Sequence, residues 1–92
     1  MILLISYDLK VPGRDYSKLY ETLKSARTWW HYLESTWLII TPENAETWGK
    51  RILDCMDEND RFIVVPVTAG GAITGWLPQK AWDWITKHSD GH

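Results

Sequence analysis

The 92-residue sequence predicts a small α+β sandwich, and two observations carry that expectation. Short apolar or β-branched runs alternate with segments of helical periodicity, in the order strand, helix, strand, strand, helix, strand, helix. The strand runs are also apolar at consecutive positions, so a sheet built from them presents apolar side chains on both faces.

Ile2 to Leu9 reads as the first strand, an apolar run too short for a helix. Val11-Pro12-Gly13-Arg14 has the proline and glycine of a turn. Asp15 is placed to cap a first helix, in which Tyr16, Leu19, Tyr20 and Leu23 recur at helical spacing. From Thr28 the residues become aromatic and β-branched, through Trp29-Trp30-His31-Tyr32-Leu33 and then Thr36-Trp37-Leu38-Ile39-Ile40. Glu34-Ser35 between them suits a hairpin or a bulge. Thr41-Pro42 reads as a helix start, a capping hydroxyl followed by proline at the first helical position. The second helix carries Ala45, Trp48, Ile52 and Met56 on one face and ends in Asp57-Glu58-Asn59-Asp60. Arg61 to Val67 is the fourth strand.

Ala69-Gly70-Gly71-Ala72 reads as a flexible link within a linker at 69–77, and Pro78 opens a last helix at 78–88. Residues 1–92 are expected to form one domain with its core in 1–68. This βαββαβ order with an extra C-terminal helix is the ferredoxin-like sandwich, a four-stranded antiparallel sheet with its first two helices on one face.

The second face then needs a cover. Four strands of about five residues span roughly 17 by 19 Å, or about 300 Å² in projection. The last helix can shield about half of that, and a monomer rarely leaves so large an apolar patch in water. A homodimer is the expected solution. Trp82 and Trp84 belong to the same argument, because residues two apart on a helix point different ways, so one of them is expected at an interface.

The net charge of −2 argues against strong non-specific binding to nucleic acid. The charge is uneven. Lys10, Arg14, Lys18, Lys24 and Arg27 outnumber Asp15 and Glu21 in the first stretch, whereas acids dominate from Glu43 to Asp60. Such asymmetry reads first as two solvated helix faces. The single cysteine excludes an internal disulfide, and no apolar run approaches the roughly 20 residues of a membrane span. The opening Met1 to Asp8 has no basic leader and no small-residue cleavage site, so a cytoplasmic location is expected and a membrane partner is not.

Three segments carry a family resemblance: the Ile5-Ser6-Tyr7-Asp8-Leu9 strand end, the Asp15-Tyr16-Ser17-Lys18-Leu19-Tyr20 helix start, and the hairpin from Trp29-Trp30-His31-Tyr32-Leu33 through Ser35-Thr36-Trp37-Leu38. Together they resemble the SinR-like small bacterial proteins, relatives of the CRISPR-associated Cas-two family and of the VapD-type toxins. The resemblance covers about the first 40 residues. It implies a homodimer in which the strand-end aspartate, here Asp8, lies beside its counterpart and holds Mg²⁺ or Mn²⁺ for phosphodiester cleavage of DNA or RNA. Ser35 falls where the family often carries a serine in the second hairpin strand. The chain departs from the family pattern before Ser35, where its residues are aromatic and acidic.

The chemistry is coherent, since a hard cation takes oxygen ligands and two carboxylates with several waters suffice. Lys10 and Arg14 flank Asp8 and are placed to touch phosphates. Asp8 also has a purely structural reading, as an acceptor for the amides of the turn from Lys10 to Gly13. The leading expectation is a homodimeric nucleic-acid-associated protein acting as a metal-dependent endonuclease. The alternative is a non-catalytic interaction module that uses its tryptophan-rich surface.

Other constellations fail. Gly70-Gly71-Ala72-Ile73-Thr74-Gly75 lacks the lysine and hydroxyl ending of a phosphate loop. Asp57 to Asp60 lacks the glycine and closing glutamate of a calcium loop and reads as a solvated helix end. His31, Cys55 and His88 have no zinc-ligand spacing. His31 reads as a packed side chain and Cys55 as a small buried hydrophobe.

Overall fold

In each helix among the described residues one apolar pair four residues apart faces inward, and this pairing sets the layers. The structure, a computed structural model, describes residues 1–67 and 73–88. The elements are β1 (Ile2–Asp8), α1 (Ser17–Lys24), β2 (Thr28–Leu33), β3 (Thr36–Ile40), α2 (Ala45–Leu53), β4 (Arg61–Val67) and α3 (Gln79–His88). The fold is α+β: one four-stranded sheet in the order β2-β3-β1-β4, with every neighbouring pair antiparallel.

Leu19 and Leu23 of α1, and Trp48 and Ile52 of α2, are buried against Leu3, Ile5, Trp37 and Ile39 on one face of the sheet. Burying side chains of this size is worth about 1.5–3 kcal/mol each, so this face holds the principal core. On the other face Ala81 and Ile85 of α3 are buried with Trp30 of β2, and Leu38, Leu77, Trp82 and Trp84 pack around them. Trp29 and Trp30 thus face opposite ways, as strand alternation requires.

Val11-Pro12-Gly13-Arg14 closes as a turn, with the Arg14 amide donating to the Val11 carbonyl at 3.2 Å. Gly13 has φ +81°, the left-handed value that a type II turn demands after its proline. The N-cap of α1 is Tyr16 and not Asp15, which stands one residue ahead and accepts the Ser17 amide on Oδ1 at 2.9 Å. Glu34-Ser35 forms the turn of the β2–β3 hairpin, with Leu33 paired to Thr36, and the register shifts ahead of it, between Trp30 and Leu33.

The start of α2 departs from expectation. Thr41-Pro42 does not begin it; Asn44 does, accepting the Thr47 amide on its side chain at 2.9 Å. The Thr41 hydroxyl is instead buried, accepting the Glu43 amide at 3.1 Å and the Trp48 indole N–H at 2.9 Å. A buried acceptor for a buried indole outweighs a cap that water can replace. The helix also ends at Leu53, short of Met56, which still packs against the core.

α3 follows Pro78, whose carbonyl accepts the Ala81 amide at 3.0 Å. The proposed link at 69–72 lies outside the described residues. α3 covers only the β2–β3 half of the second face. Ile63 and Val65 on β4 are 57% and 39% exposed. No helix among the described residues is long and apolar enough to cross a membrane.

Candidate functional site

Antiparallel register brings the end of β1 beside the start of β4, pairing Asp8 with Arg61. Asp8, Ser6, Arg61 and Ile63 then line a shallow depression of about 300 Å³ at this end of the sheet. The Asp8 side chain is exposed, and its Oδ2 lies 2.7 Å from Lys10 Nζ. An exposed pair of this kind contributes about 0–1 kcal/mol.

The structural role expected of Asp8 belongs to another residue. Asp60 is buried and its carboxylate takes the Lys10 amide at 2.7 Å, the Asp57 amide at 2.8 Å and the Tyr16 hydroxyl at 2.9 and 3.0 Å. This clasp ties the β1–α1 loop to the segment before β4. Burial opposes ionisation of Asp60, but the two amides and the Tyr16 hydroxyl outweigh it and hold its carboxyl below the usual range. The reading of Asp57 to Asp60 as a solvated helix end is therefore corrected. Topology supplies the reason: the pair next to Asp8 and Arg61 in the register would join Leu9 to Asp60, so the acid lands on the loop it organises.

Arg14 is drawn into the same clasp, with Nη1 3.4 Å from Asp57 Oδ2 and its guanidinium 5.5 Å from the centre of the Tyr16 ring. Of the sequence-predicted site residues, then, Asp8 and Lys10 are together and Arg14 is held beside Asp57. Every described buried side-chain nitrogen or oxygen has a hydrogen-bond partner, so the fold is satisfied without calling on Asp8. Among the described residues no three His, Cys, Asp or Glu side chains gather as a metal site.

Trp82 and Trp84 lie on α3, on the second face of the sheet, and both are partly buried against their own chain. The Trp84 indole N–H donates to Thr28 Oγ1 at 3.1 Å. At about 100° per residue, the two sit some 80° to either side of the line through Ala81 and Ile85. Both therefore flank one contact, which corrects the expectation that their spacing sends one of them away from it.

A second cluster sits on the first face at the β2 edge. The His31 ring stacks on Trp37 at 3.8 Å and 14°, and Trp29 meets Trp37 at 5.4 Å and 49°. Cys55 is buried, with Sγ 3.4 Å from the Arg51 carbonyl and 3.6 Å from the Thr22 hydroxyl, as a small core residue. No protein-family model matches the sequence, and no curated protein sequence matches it.

Proposed function

We propose that this chain is a ferredoxin-like homodimer that associates with nucleic acid and cleaves it through a pair of Asp8 carboxylates holding Mg²⁺ or Mn²⁺. One observation carries the reading: Asp8 is a charged, exposed strand-end carboxylate that the fold does not use, set beside the uncovered apolar side chain of Ile63. The strand order, read from the other edge as β4-β1-β3-β2 with α1 and α2 on one face, supports the ferredoxin-like architecture.

Among the described residues a single chain does not fit a resident cation at this end of the sheet, since Asp8 stands there with an ammonium already on it. A second copy over Ile63 and Val65 buries the patch, and a two-fold axis passing beside Asp8 brings the two Asp8 carboxylates together. A divalent ion held there would polarise a phosphodiester oxygen and acidify bound water. Asp8→Asn is the test, because it keeps shape and removes the charge that a hard cation needs. Metal-dependent cleavage of DNA or RNA should vanish while the melting temperature holds. Undiminished cleavage, or a variant that unfolds early, overturns the reading.

A second reading rests on Trp76, which is 99% exposed next to a groove of about 280 Å³ lined by Leu4, Leu33, Leu38, Ile73, Leu77 and other residues. A non-catalytic interaction module would use that surface. It is favoured if Trp76→Ala abolishes partner capture while Asp8→Asn changes nothing.

A further inference from the structure

β2 is an edge strand, and three residues line up at this edge, one just ahead of the strand and two within it that both meet Trp37 on the α1 face. They are Arg27, Trp29 and His31, and all three are exposed although Trp30 between them is buried. The Lys24 ammonium lies over the Trp29 ring at 5.4 Å. His31 is seated on Trp37, and a hollow of about 180 Å³ opens between Tyr20, Lys24, His31 and Trp37. Among the described residues neither Lys24 nor Arg27 forms an ion pair, so both charges stay available.

Aromatic faces in an edge row with cations at one end match the chemistry of an unpaired nucleotide, which offers a base to stack and a phosphate to neutralise. A base pair inside a duplex offers only its edges. We infer that the Arg27-Trp29-His31 stripe, with Lys24 above it, binds single-stranded nucleic acid, stacking a base on Trp29 and pairing phosphates with Lys24 and Arg27. The site shares its class of ligand with the nuclease reading but none of the residues at Asp8.

The test is fluorescence anisotropy of the intact protein with a labelled 12-nucleotide oligothymidylate and its duplex, in EDTA so that cleavage plays no part. The single strand should bind better than the duplex. Trp29→Ala should weaken binding on the order of 5- to 100-fold, the range of one lost base stack, and Trp29→Phe should restore most of it. The double variant K24A/R27A should lower the slope of log affinity against log salt by about 1.4, since each phosphate contact on a single strand contributes roughly 0.7.

Melting curves check that each variant folds, and K24A/R27A alters only exposed side chains should Trp29→Ala fail to fold. Equal binding of duplex, an unchanged salt slope, or full affinity in a folded Trp29→Ala overturns the inference. So does a site on β2 that takes an extended peptide by its backbone and ignores all these changes. Strand binding by a wild-type protein that shows no metal-dependent cleavage, or whose Asp8→Asn variant cleaves undiminished, would instead overturn only the Asp8 reading.

Discussion

Replacing Asp60 with asparagine keeps the outline of the side chain and removes the charge that the Lys10 amide, the Asp57 amide and the Tyr16 hydroxyl share. Hydrogen bonds to a charged acceptor are worth about 1.5–3 kcal/mol each and the neutral amide retains part of that, so denaturant unfolding should show a loss of about 1–3 kcal/mol. The pH dependence has a definite sign. The folded carboxyl lies below its ordinary value of 3.8, so its stabilisation is complete above that value and fades as pH falls through the lowered one. Acid titrations should therefore show wild type losing stability below about pH 4 and Asp60→Asn losing less. Tyr16 is displaced upward, first by burial and then by the same carboxylate, so its hydroxyl stays a donor across this range. Asp8, by contrast, contributes to the fold only its exposed pair with Lys10.

Among the elements, α2 shows most clearly how a local signal is overruled. Asn44→Ala should cost about 1 kcal/mol, the usual worth of a side-chain cap. Thr41→Val should cost more, about 1–3 kcal/mol, because the buried Trp48 indole N–H is left without an acceptor. Equal or reversed losses in thermal unfolding would show that the Thr41 hydroxyl is not what holds the Trp48 indole, and a negligible loss in Asn44→Ala would return the cap to Thr41. α3 gives a second contrast. Ile85 is buried under Trp30, so Ile85→Ala should destabilise by about 2–5 kcal/mol. Trp76, just before the helix, is fully in water, and Trp76→Ala should stay within about 0.5 kcal/mol of wild type. If both variants melt like the parent, α3 is an appendage to the sheet rather than part of its packing.

At the scale of the whole molecule, the uncovered half of the second sheet face decides the assembly. Light scattering at micromolar concentration should give twice the 10.8 kDa of the chain. Ile63→Asp should give a folded monomer that melts below the dimer only by what association contributed, since the new charge is solvated in one chain and stranded in a dimer. A monomeric wild type would remove the second carboxylate that the Asp8 site requires.

The seven elements, the turn at Gly13, the opposed faces of Trp29 and Trp30 and the apolar character of both sheet faces are all legible in the amino-acid order. Each of these is written in residues within a few positions of one another. Packing, by contrast, selects which acid organises the first loop, why Thr41 serves Trp48 in place of a helix end, and how α3 seats two tryptophans on one contact. Those outcomes join residues up to 56 positions apart, brought together by strand register in one case and by helix-on-sheet packing in the others. Asp60 reaches Lys10 because β4 runs antiparallel beside β1, a pairing that no local spacing records.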